Sequence, residues 1–260
     1  MYKALLVGIN AYPDAPLKGC LNDITDMATF IVSNCGFKES DIRLLADKRA
    51  TTENIKERLK WLVDGVKPGD HLLFHYSGHG AQVPTRSASG EVDKLDEVIC
   101  PVDFDWSDDH LIRDKDFHTI FSTIPEGVHF VWISDSCHSG DLSKELRRIR
   151  SIPMPEDIAW RWKTAQAAQM QPRAINSNIS NVALIPGCRS NQTSADATFN
   201  NRPNGALTYF LLQNLKKASG DKLPISKLVD RVRADLKKNG YSQSPVAEGN
   251  PDLLSKTFAG

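Results

Sequence analysis

The feature that most constrains this chain is a set of short, nearly unbroken apolar runs separated by segments of helical periodicity. The runs lie at residues 4–9, 72–76, 128–133 and 182–185, with a weaker one at 42–45. Runs this short and this apolar fit strands covered on both faces, as in a parallel sheet. Between them, apolar residues recur at helical spacing over 21–32 and 54–63, the latter preceded by Thr51 and Thr52 as candidate caps. Residues 206–215 and 225–236 show the same stripe with Lys and Arg opposite. Strand and helix in alternation predict an α/β fold, a mostly parallel sheet flanked by helices on both faces. In such sheets ligands gather at the carboxyl ends of the strands.

One domain over 1–260 is expected, with an interruption at 141–180. That stretch holds Pro153, Pro155 and Pro172 and the cluster Arg147, Arg148 and Arg150. It reads as an inserted basic loop with one helix around 158–170. The part before it carries most of the chemistry, and 181–260 completes the sheet.

Charge narrows the partners. The 32 basic and 32 acidic side chains cancel, but residues 1–140 hold 14 basic against 22 acidic, and 141–260 hold 18 against 10. Without a basic excess, neither nucleic acid nor a membrane surface is an expected partner. No apolar stretch approaches the ~20 residues of a membrane span. The amino terminus lacks the apolar region and cleavage site of a signal peptide. A cytoplasmic protein, monomeric, is the expectation. The cysteines Cys20, Cys35, Cys100, Cys137 and Cys188 are odd in number and lack a C-x-x-C pair, so reduced thiols are expected.

Two strand ends carry candidate chemistry. One finishes in Ser77-Gly78-His79-Gly80, the other in Asp135-Ser136-Cys137-His138-Ser139-Gly140. If the strands are neighbours, about 4.8 Å apart, a thiol and an imidazole face each other across one sheet edge. That is what a cysteine nucleophile requires: a base to form the thiolate, then an acid for the leaving amine. His79 is the better base, and the Gly80 N–H can point at an oxyanion beside the Cys137 N–H. His71, His75 and His79 are four apart, but the surrounding sequence argues strand and loop, and too few soft ligands converge for zinc.

Here the chain resembles the metacaspase group of caspase-like cysteine peptidases, as a compact bacterial-type member without a prodomain. The matching stretches are ALLVGIN (4–10), LKGCLND (17–23), HYSGHG (75–80), DEVICPVD (96–103), DSCHSG (135–140) and GCRSNQTSA (187–195). The helix start at Gly205 to Thr208 and the segment 243–254 extend the likeness over nearly the whole chain. The Gln-Ala-Cys signature of caspases proper is absent.

The resemblance implies a caspase-like sheet with Cys137 as nucleophile, His79 as base and Gly80 in the oxyanion site. It implies protein or peptide substrates cut after Arg or Lys, in an acidic pocket of Asp23 and Asp135 lined by Cys20 and Ser77. Two carboxylates beside the nucleophile suit a forked guanidinium. Many relatives are calcium-activated, and Asp93, Asp96 and Glu97 fall where some family ligands do, within an acidic loop at 91–116. Glu97 stands where Asp is usual, and no downstream carboxylate matches the fourth family ligand. Self-cleavage at Arg147, Arg148 or Arg150 would separate a large-fragment-like part from a small one. The alternative function is a regulatory binding module that keeps the fold without turnover; the intact His79, Cys137 and glycines count against it.

Overall fold

A computed structural model describes the chain except for residues 87–91, 138–147, 151, 153–154, 157–171, 174–180, 189–193 and 219–222. The helix expected around 158–170 lies outside the described residues. The chain order runs β1 (Tyr2–Gly8), α1 (Cys20–Asn34), β2 (Ile42–Ala46), α2 (Thr52–Val63), β3 (His71–Ser77), β4 (Gly80–Arg86) and β5 (Val92–Ile99). Then come β6 (Ile112–Arg113), α3 (Asp114–Phe121), β7 (His129–Asp135), β8 (Arg148–Ile149), β9 (Pro172–Arg173) and β10 (Ala183–Pro186). The last part holds β11 (Ala195–Phe199), β12 (Arg202–Gly205), α4 (Ala206–Lys217), α5 (Ile225–Lys238) and α6 (Pro251–Leu254).

The apolar runs form one parallel sheet in the order β10-β7-β3-β1-β2. Alternation along each strand explains why the runs are continuous. Leu5 and Val7 of β1, Phe74 of β3 and Trp132 of β7 face a core shared with Ile55, Leu59 and Leu62 of α2 and Phe117 and Phe121 of α3. Ala4, Leu6, Leu73, Val131 and Ile133 face the other way, onto Met27 and Ile31 of α1, Leu211 of α4 and Val229 of α5. Strands β1, β3, β7 and β10 therefore bury both their faces, whereas the edge strand β2 leaves Arg43 and Leu44 exposed. At one edge, β10 is covered by the carboxyl-terminal segment: Leu184 and Glu248 exchange backbone hydrogen bonds of 2.8 and 2.9 Å. No helix among the described residues is long and apolar enough to cross a membrane.

The helix boundaries follow local chemistry. The Thr51 hydroxyl accepts from the Asn54 N–H at 3.3 Å and starts α2. One expectation is corrected: 91–116 is not simply an acidic loop. It contains β5, antiparallel to β4, and β6, antiparallel to β5. Val98, Ile99, Leu111 and Ile112 are buried here, so apolar residues scattered among the acids anchor the segment to the core.

Candidate active site

Strands β3 and β7 are parallel neighbours, with Ser77 opposite Asp135 at their carboxyl ends. The turns that follow carry His79 and Cys137 to the same edge of the sheet, as the spacing predicts. Cys137 is fully buried. His138 and Ser139 lie outside the described residues.

His79 is held from several sides. Its backbone N–H donates to the Tyr12 hydroxyl at 3.0 Å, and its carbonyl accepts from Tyr76 Oη at 2.7 Å and the Cys100 N–H at 3.0 Å. The Tyr12 ring lies tilted against the imidazole, centroids 4.4 Å apart. Gly78 makes room for this clamp, because a Cβ there would sit 2.6 Å from Tyr12 Oη and 2.7 Å from Tyr76 Oη. The glycine serves a close approach of side chains, and Tyr12 was not foreseen from the sequence.

The imidazole Nε2 lies 2.6 Å from the carbonyl oxygen of Ala15. A carbonyl can only accept, so Nε2 carries the proton and Nδ1 is the unprotonated nitrogen of the neutral ring. Among the described residues, buried Nδ1 has no hydrogen-bond partner. Burial lowers the His79 pKa to about 4, against the raising effect of the Ala15 and Arg150 carbonyls. The ring is therefore neutral near pH 7. The group that orients the ring is a backbone carbonyl, which no side-chain motif could reveal. Cys188 also adjoins: its Sγ lies 3.9 Å from the Ser136 carbonyl oxygen, and a hydrogen bond with Cys137, together with burial, holds its thiol well above the usual range.

Asp23, Asp135 and Ser77, three of the residues expected to form an acidic pocket, converge on Arg150 of the same chain. Arg150 is completely buried. Its Nη1 donates to Ser77 Oγ at 2.7 Å and to the Asp135 carbonyl oxygen at 2.8 Å. Its Nη2 donates to Asp23 Oδ2 at 2.9 Å and to Asp196 Oδ1 at 3.1 Å. The Asp135 carboxylate adds a 3.4 Å ion pair. Burial opposes the charge on Arg150, but Asp135, Cys20, Asp23 and Asp196 together raise its pKa well above the ordinary value. Burial pushes Asp23 up to about 6 although Arg150 pulls the other way. Cys20 is a buried thiol at the pocket wall, pushed up to about 12 by burial.

The second tier fixes the acids. The Gly205 N–H reaches both oxygens of Asp23, at 2.9 and 3.0 Å. The Thr208 N–H and hydroxyl donate to Asp135 Oδ2 at 2.9 and 2.8 Å, at the start of α4, where the helix dipole favours an anion. Ser194 Oγ donates to Asp135 Oδ1 at 2.8 Å. Gly205 leaves no space: a Cβ would lie 2.2 Å from Asp135 Oδ2 and 2.7 Å from Arg150 Nη2. The sequence reading matched the stretches holding Ser194, Gly205 and Thr208 but gave them no role, and it missed Asp196.

The backbone around Arg150 runs as an added strand. Arg148 and Ile149 pair antiparallel with Asp196 and Ala195 of β11, and the Arg150 N–H donates to the Ser194 carbonyl at 3.2 Å. The Arg150 carbonyl oxygen accepts from the Gly80 N–H at 3.2 Å. Of the three expected arginines, Arg150 enters the pocket, Arg148 belongs to β8, and Arg147 lies outside the described residues.

Two of the expected calcium ligands, Asp96 and Glu97, are adjacent residues of β5. Asp96 Oδ2 receives Arg113 Nε at 3.1 Å, a nearly buried ion pair. Glu97 is buried. The side chain of Asp93 lies outside the described residues. Among the described residues no three His, Cys, Asp or Glu side chains gather as a metal ion needs, and six to eight oxygens are what calcium takes.

The metacaspase peptidase C14 domain model matches residues 2–144. Among curated proteins, Metacaspase-1 of Ajellomyces capsulatus is 32% identical, covering 97% of this chain and 82% of its own. Metacaspase-2 of Trypanosoma brucei brucei is 34% identical over 99% of this chain and 76% of its own. Metacaspase-1A of Neurospora crassa is 33% identical over 94% of this chain, which spans only 61% of that relative's length. A crystal structure of a Geobacter sulfurreducens protein superposes with a TM-score of 0.72 at 27% identity, covering 99% and 98% of the two chains. Caspase-1 of Spodoptera frugiperda superposes with a TM-score of 0.60 at 11% identity over 98% and 88%, a likeness of fold.

Proposed function

Since the chain belongs to the metacaspase family of cysteine peptidases, we propose that it is an endopeptidase that cuts after arginine or lysine and processes itself after Arg150. One observation carries this reading: Arg150 sits in the acidic pocket with its carbonyl on the Gly80 N–H.

The chemistry follows from the groups present. His79 Nδ1 takes the proton of the Cys137 thiol, and the sulfur attacks the carbonyl carbon of the residue in the pocket. The N–H groups of Gly80 and Cys137 receive the developing oxyanion. As the C–N bond breaks, the imidazolium returns its proton to the leaving amine. Water, deprotonated by His79, then cleaves the thioester, releasing a carboxylate and the thiol. The Ala15 carbonyl holds the tautomer throughout and stabilises the imidazolium when it forms.

Intact-mass analysis of wild type and Cys137→Ala tests the reading, alongside hydrolysis of fluorogenic Arg and Lys peptides by freshly reduced protein across a calcium titration. Wild type is expected to break after Arg150 and to cleave the peptides, and Cys137→Ala to do neither. Equal fragmentation of both proteins removes self-processing. No peptide hydrolysis at any calcium concentration favours a binding module.

A further inference from the structure

The pocket around Arg150 contains a carboxylate that the family likeness did not assign. Asp196, on β11, has a side chain only 2% exposed. Its Oδ2 accepts from the Lys18 N–H at 2.9 Å and its Oδ1 from the Gly19 N–H at 3.0 Å, which aim the group from the loop before α1. Gly19 has no room for a side chain, because a Cβ would lie 2.5 Å from Asp196 Oδ1.

The donors of the guanidinium show what Asp196 adds. Each terminal nitrogen has two N–H groups. Nη1 uses its pair on Ser77 Oγ and the Asp135 carbonyl, and Nη2 uses its pair on Asp23 and Asp196. All four terminal donors therefore have oxygen acceptors, two of them carboxylates that meet at one nitrogen. A lysine ammonium ends at the level of the guanidinium carbon, one bond short of Nη2. It has three donors on one atom and no planar fork. It cannot span Ser77, the Asp135 carbonyl, Asp23 and Asp196 at once.

We propose that Asp196 is a specificity-determining residue of this pocket, which with Asp23 grips the outer nitrogen of a guanidinium and so selects arginine over lysine before the cut. This rests on the endopeptidase reading above and sharpens it from two residues to one. Losing one charge-assisted hydrogen bond is worth roughly tenfold to a hundredfold in selectivity.

Asp196 also ties down Lys18 and Gly19, so a purely supporting role must be separable. The measurement is kcat/KM for two fluorogenic peptides that differ only in Arg or Lys before the cleaved bond, with wild type and Asp196→Asn. Their ratio cancels the fraction of molecules whose pocket is still filled by Arg150. Wild type is expected to favour Arg by at least about tenfold, and Asp196→Asn to lower that ratio about tenfold. A ratio near one in wild type, or an unchanged ratio in folded Asp196→Asn with both substrates equally slowed, overturns the proposal. If Asp196→Asn does not fold, Asp196→Glu, which keeps the charge but displaces it, carries the same expectation. Hydrolysis of neither peptide by wild type defeats the endopeptidase reading itself, whereas equal hydrolysis of both defeats only the role of Asp196.

Discussion

Replacing Arg150 by glutamine in a Cys137→Ala background isolates the energetics of the filled pocket from cleavage. The guanidinium stands 2.9 Å from Asp23, 3.1 Å from Asp196 and 3.4 Å from Asp135, with all four side chains no more than 2% exposed. Removing one partner of a buried ion pair costs about 3–5 kcal/mol, because the charge left behind stays out of water. Two responses soften this. Asp23, already pushed up to about 6, can take a proton, and water can enter the emptied space. The low end, about 3 kcal/mol near pH 7, is therefore expected. For a chain of this size that is a fall of roughly 6–12 °C in melting temperature. Urea unfolding of Cys137→Ala with and without Arg150→Gln reads it directly. Arginine amide offers a second check, since a ligand at a hundred times its Kd restores about 2.7 kcal/mol. It should stabilise the double variant and leave Cys137→Ala unchanged. Stabilities within about 0.5 kcal/mol, the range of an ordinary surface substitution, would refute the burial of Arg150 among the acids.

Two further outcomes follow from the same geometry. Gly205→Ala should lower hydrolysis of an Arg peptide at least about a hundredfold and cost about 1–3 kcal/mol, as overpacking does, since the added carbon would lie 2.2 Å from Asp135 Oδ2; wild-type rates would contradict the packing. Acid should destabilise the fold: His75, His79 and His129 are each lowered to about 4 by burial. Below pH 6.5 the unfolded chain binds protons that the native protein does not, so about 2 kcal/mol per imidazole is lost between pH 7 and 5. The raised Asp23 works in the opposite sense and returns about 1 kcal/mol as pH falls below 6. Urea midpoints of Cys137→Ala at the two pH values should differ accordingly, and equal midpoints would contradict the burial of these rings.

The central strands were legible because burial on both faces writes itself as an apolar run: Leu5 and Leu6 are neighbours in sequence, yet they enter opposite cores. The hairpin of β4 and β5 was not legible. Its strands carry Asp96 and Glu97 beside Val98 and Ile99, so the acids masked an ordered segment. Arg113, which neutralises Asp96, lies 17 residues further on, and its pairing has no local signature.

By itself the sequence determined the sheet, the two strand ends and the residue types a thiol peptidase needs, because periodicity and side-chain chemistry are local properties. It also placed a basic cluster beside an acidic half. Only the tertiary structure decided which arginine meets which acids, since Arg150 reaches Asp23 across 127 residues and Asp196 across 46. It likewise supplied the Ala15 carbonyl that sets the His79 tautomer. Such contacts arise where separate segments converge at one sheet edge, and the chemistry there depends on distances that no stretch of sequence encodes alone.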